Sequence, residues 1–159
     1  MKQLDLLAYK DYLLNTHRGN CGGVFSNAKP LLLIAVIDAI DVGMITENKI
    51  YFNNKELEGI YKKLFLSCDS KYEGPIHSNY KITPYQLPFF HLNKEKYYHI
   101  MWKDGINPPE QSKSPSRRYL KENVQYAYLD DKLWDLLMVP SNRAFLRESL
   151  INKFINSKD

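Results

Sequence analysis

Cysteine and glycine are both scarce in this 159-residue chain, which has two of the first and seven of the second. Cys21 and Cys68 lie far apart and form no C-x-x-C pair, so neither a disulfide framework nor a cysteine-built zinc site is signalled. Long apolar runs are missing too. The longest, Leu31 to Ile37, falls far short of the roughly 20 residues needed to span a bilayer. The opening Met1-Lys2-Gln3-Leu4-Asp5 lacks the apolar core of a signal peptide, so a cytoplasmic protein is expected.

Catalytic signatures are equally absent. The sequence has no G-x-S-x-G elbow, no P-loop and no dinucleotide fingerprint. None of His17, His77, His91 and His99 stands in an H-E-x-x-H pattern or beside a cysteine pair. A metal held by His91 and His99 across a hairpin would lack an evident third ligand. Asp130-Asp131 precedes an apolar helix, where capping is the natural role. The expectation is a protein with no enzymatic activity, no cofactor and no metal.

What is present is an ordinary globular balance, 44% hydrophobic and 25% charged, in a length that suits one domain with a real core. Twelve tyrosines raise the aromatic share to 13%, a composition suited to surfaces part wet and part apolar. The net charge is +4, which is compatible with a nucleic-acid partner without requiring one.

Residues 2 to 15 place Leu6, Tyr9 and Leu13 on one face of an amphipathic helix. Gly19, Gly22 and Gly23 then mark a mobile loop. Pro30 sits in the first turn of a second helix, with Ser26 or Asn27 to cap it and Gly43 to end it. That helix is apolar nearly all round and should be central. A third helix, capped by Asn53 or Asn54, carries the stripe Leu57, Ile60, Tyr61, Leu64 and Phe65. Residues 67 to 84 read as a long loop. Leu87–Leu92 and Tyr97–Trp102 read as strands of a hairpin joined by Asn93-Lys94-Glu95-Lys96, with Asp104-Gly105 turning the chain away. Further helices open at Ser114-Pro115, at Asp130 or Asp131, and at Pro140. The fold class is α+β, a mainly helical single domain with a small antiparallel hairpin or sheet.

Three segments carry a resemblance: Ala28-Lys29-Pro30-Leu31-Leu32-Leu33, Leu87-Pro88-Phe89-Phe90-His91-Leu92, and Leu129-Asp130-Asp131-Lys132-Leu133-Trp134-Asp135-Leu136-Leu137 running on to Arg143 and Leu146-Arg147-Glu148-Ser149-Leu150-Ile151. In this order, over nearly the whole chain, they resemble the sulfur-binding domain of McrA-like, phosphorothioate-dependent HNH restriction endonucleases. The resemblance implies recognition of double-stranded DNA in which sulfur replaces a non-bridging phosphate oxygen, in the service of type IV restriction. It also implies an HNH nuclease domain C-terminal to this one, and no HNH-type motif occurs in residues 1–159.

By that resemblance Leu87 and Pro88 line the sulfur pocket and His91 occupies the position three residues beyond the proline. The family often has an aromatic residue at Leu87 and can have a smaller one at His91. Alternation along a strand would bring Phe90 near the same pocket. Sulfur is larger and more polarizable than oxygen and a weaker hydrogen-bond acceptor, so an apolar dent flanked by basic groups would select it. The alternative for Pro88 is a plain edge-strand proline.

For the DNA backbone the candidates are Ser26, Asn27 and Lys29 at the second helix's N-terminus, where free amides attract anions. Lys29 could instead only fix the helix entry. Ser116, Arg117 and Arg118 would form a second clamp, unless they are a solvated helix end. Tyr85, Lys94, Tyr80, Lys81 and Lys96 are further candidates by loop composition, and Arg143 and Arg147 read as packing or ion-pairing residues. Two other functions fit the sequence: a reader of a methylated or hydroxymethylated base, or a protein-protein adaptor of a defence system.

Overall fold

The segment Ala28–Asp41 is so uniformly apolar that it can be stable only with neighbours on all sides, and the architecture follows from supplying them. In the computed structural model, which describes residues 2–21, 24–68 and 82–156, this segment is helix α2. Twelve of its fourteen residues are buried. Helix α3 (Lys55–Cys68), helix α4 (Gln86–His91) and helix α7 (Pro140–Leu150) pack around it. Helix α1 (Lys2–Leu14) lies against α7 and helix α6 (Asp131–Leu137), burying Tyr9 and Leu13. The domain is α+β and mainly helical. No helix among the described residues is long and apolar enough to cross a membrane.

Local chemistry sets the helix ends. Met44 N–H reaches Ala39 C=O at 2.8 Å and Gly43 N–H reaches Ile40 C=O at 3.1 Å, the paired bonds of a Schellman cap on α2. Gly43 sits at φ +83°, a conformation glycine adopts without a Cβ penalty. Asn54 Oδ1 accepts the Leu57 amide at 3.0 Å and so caps α3. The Ser116 side chain caps helix α5 (Arg117–Asn123) by accepting Tyr119 N–H.

Two small antiparallel ladders complete the fold. Strand β1 (Asn20–Cys21) pairs with β2 (Val24–Phe25), where glycine punctuation had suggested only a loop. Strand β3 (Tyr98–Trp102) pairs with β4 (Val124–Leu129), and Ile50 bridges the far edge of β4 at Ala127.

One expected element is different. Leu87–Leu92 is not a strand, and there is no hairpin with 97–102. Residues Gln86–His91 form α4, which a 3₁₀ turn, Leu92–Lys94, carries on to β3. Pro88 explains part of this. In mid-sheet it would remove a ladder hydrogen bond, whereas in the first turn of a helix its missing N–H has no partner to lose. Helical winding also buries Pro88, Phe89, Phe90 and Leu92 together, which strand alternation cannot do. Phe89 packs edge-on to Phe52 at 5.0 Å, and its carbonyl accepts the Tyr98 hydroxyl at 2.7 Å.

In α7, Leu146 and Leu150 turn inward together with Phe154 of the π-helical turn that follows, while Phe145 faces outward. Arg147 makes a two-bonded ion pair with Asp38 of α2, and Arg143 holds Asp41 at 3.0 Å.

Gly43→Ala should lower stability by about 1 kcal/mol, because the left-handed conformation crowds a Cβ. Urea unfolding would read this directly, and an unchanged midpoint would contradict the cap assignment.

Candidate nucleic-acid interface

Three chain segments meet at one open cleft of about 330 Å³. The loop after α1 brings His17 and Gly19, and the start of α2 brings Ser26, Ala28 and Lys29. From the third segment come Thr83, Leu87, Pro88, His91 and Lys94, on and around α4. The first two are tied together where Ser26 N–H reaches Gly19 C=O at 2.8 Å. Arg18 reinforces the junction, donating from Nη1 to Asn27 Oδ1 at 3.0 Å while its guanidinium sits over the Phe154 ring.

The cleft has an apolar patch and a basic rim. Leu87 is half-buried and Pro88 buried, and neither side chain offers a polar atom. Lys29 is only 8% exposed, and its Nζ bonds Glu95 Oε2 at 3.1 Å. Burial pushes its ammonium below the usual lysine range, and Glu95 counters that pull. Lys94 stands exposed at the mouth. The first-turn amides of α2 add the positive end of a fourteen-residue helix.

His91 is the unusual member. Its Nε2 lies 3.1 Å from Ser114 Oγ, while its buried Nδ1 has no hydrogen-bond partner. Burial lowers its pKa from the ordinary histidine value, and the nearby Lys94 and Lys29 lower it further. A neutral imidazole therefore faces the cleft at neutral pH.

The expected site residues divide accordingly. Leu87, Pro88, His91, Ser26, Lys29 and Lys94 converge on the cleft. Asn27 stands behind it, holding Arg18. Phe90 does not line it. It is fully buried, edge-on to His91 at 5.0 Å and near Trp102, because a helix turns it into the core. Tyr85 is likewise a core residue, stacked on Phe52 at 5.4 Å, with a hydroxyl that has no partner. It is not placed to touch a DNA backbone.

Ser116 is committed to the α5 cap, and Arg117 grips Glu58 through two bonds of 3.0 and 2.6 Å while lying over Phe52. That pairing holds the Glu58 carboxyl below its usual range despite burial. Arg118 is the more exposed of the two and is bonded to Glu122 one turn on. The segment still touches the cleft, through Ser114 on His91. Tyr80, Lys81 and His77 lie outside the described residues.

His17, Gly19 and Thr83 are cleft residues that were not singled out as contacts from the sequence. The basic pair His17-Arg18 beside Gly19 was the available signal.

No family model matches this chain, and no curated protein does.

Elsewhere, His99 is not opposed to His91. Its Nε2 meets Asp130 Oδ1 at 2.6 Å, and Asp130 Oδ2 accepts the Tyr9 hydroxyl at 2.8 Å. Asp130 does begin α6, but its carboxylate serves these two partners and caps no amide. Among the described residues no group of three His, Cys, Asp or Glu side chains could hold a metal ion.

The depressed pKa of His91 has a stability consequence. Unfolded chains take up this proton near the ordinary histidine value of about 6.5, while the folded state resists it. Folding stability should therefore fall as pH drops below about 6.5. His91→Gln should flatten that part of the profile, measured by urea unfolding at several pH values. An identical pH dependence in the variant would refute the assignment.

Proposed function

We propose that this protein recognises phosphorothioate-modified double-stranded DNA and targets it for restriction by a linked HNH nuclease. The reading rests first on the resemblance carried by the Lys29-Pro30, Leu87-Pro88 and Leu129–Ile151 segments. The observation that carries it is the convergence of Leu87, Pro88 and His91 with Lys29 and Lys94 in one cleft, although three separate segments supply the cleft wall.

The chemistry suits a sulfur-bearing phosphate diester. The apolar Leu87–Pro88 surface offers van der Waals contact to a polarizable atom and no hydrogen bond that oxygen would need. Around it, Lys94, the positive end of α2 and the partly neutralised Lys29 hold the backbone charge. A neutral His91 adds a polar contact without a second buried cation. The domain marks the site in this scheme, and cleavage belongs to the nuclease.

The decisive measurement is binding to one short duplex in three forms: unmodified, carrying one stereodefined phosphorothioate, and carrying a methylated cytosine. The proposal requires a sulfur preference of about tenfold or more, equivalent to roughly 1.4 kcal/mol. Equal affinity for all three forms would sink it, and preference for the methylated duplex would transfer the cleft to a base mark. Pro88→Ala and Leu87→Ser should erode the sulfur preference more than affinity for ordinary DNA. Lys94→Ala should weaken binding to every duplex and reduce the salt slope by about one.

A further inference from the structure

The outer face of the small sheet takes no part in the cleft. In the β3–β4 register His99 stands opposite Tyr128, and Met101 opposite Tyr126. Because side chains alternate, Ala127 and Leu129 point into the core while Tyr126 and Tyr128 point away from it. On the other side of β4, the Ile50–Ala127 bridge buries Ile50 and so turns Lys49 and Tyr51 to that same outer face.

A row of four rings results. Tyr51 meets Tyr126 at 6.0 Å, Tyr126 meets Tyr128 at 6.1 Å, and Tyr128 meets His99 at 5.1 Å. Tyr51 is 46% exposed and Met101 37%. Among the described residues the three tyrosine hydroxyls have no hydrogen-bond partner, so core satisfaction does not account for them.

Positive groups accompany the rings. Lys49 Nζ lies 5.2 Å from the centre of the Tyr126 ring. At the other end Lys121 shares a surface depression of about 340 Å³ with Tyr51, Asn53 and Gln125. Two nearby carboxylates are already engaged: Asp130 by His99 and Tyr9, and Glu122 by Arg118. Aromatic rings flanked by lysines fit a partner that has flat π-faces and a negatively charged backbone.

We propose that this face is a stacking platform for single-stranded nucleic acid, distinct from the cleft that we assign to duplex DNA. Unpaired bases stack on tyrosine rings in a sequence-tolerant way, while lysines track the phosphates. A duplex keeps its base faces inside the stack and cannot use such a surface. The inference does not rest on the sulfur reading, since it involves none of the cleft residues.

The test is fluorescence anisotropy with labelled oligothymidylate and oligouridylate of about ten nucleotides, on the full chain. Both should bind, more weakly as salt rises, and the relative affinities show whether DNA or RNA is the better ligand. Tyr126→Ala and Tyr128→Ala should each weaken binding about tenfold, whereas Tyr126→Phe should retain it. Lys94→Ala, in the cleft, should leave it unchanged. Should an alanine variant fail to fold, the Tyr126 and Tyr128 ring resonances of the wild-type protein must still shift on adding oligothymidylate. Three results would overturn the proposal: no binding by the wild-type chain, binding indifferent to both alanine variants, or a concentration-dependent dimer abolished by Tyr126→Ala. Loss of sulfur preference in the duplex assay would bear on the cleft alone.

Discussion

Everything in this fold is arranged around the need to cover α2. A helix with apolar groups on every side cannot lie on a surface, so α3, α4 and α7 surround it and the remaining elements hold those three in place. Its two ends are treated differently. The C-terminal half carries Asp38 and Asp41, which Arg147 and Arg143 engage from α7. The N-terminal end emerges at the cleft with Lys29 as its one charged residue, balanced by Glu95.

That asymmetry gives the proposed interface its position. The central helix of the core begins at the cleft, its positive end there, and α4, packed on its flank, presents Leu87 and Pro88 beside it. Recognition groups on well-packed elements are held more firmly than groups on loops. The buried residues that sequence reading had assigned to contact, Tyr85 and Phe90, contribute differently. They form the floor that fixes α4, through Phe52 and Trp102 respectively.

Much of this was legible in the sequence where the signal was local. Pro30 and Gly43 bracket α2, Asn54 and the Leu57–Tyr61 stripe define α3, and Pro140 opens α7. The six-residue stretch 87–92 was not legible, because a short apolar run satisfies strand and helix periodicities alike. Nor was the role of Arg117, whose partner Glu58 lies 59 positions away. Composition along the chain cannot tell an arginine bound within the protein from one free to grip a phosphate. The cleft itself was half legible. Its expected members come from two segments, the start of α2 and the stretch around α4, and tertiary packing brought those together with the loop after α1.

The packing of α1 against α6 and α7 joins the first helix to the last two, and β3 must wait for β4 to find its partner. Contacts this distant in the chain close late. On a ribosome, α3 and α4 would follow α2 out of the exit tunnel well before α7, so the face of α2 that α7 covers would stay open after the rest of its packing had formed.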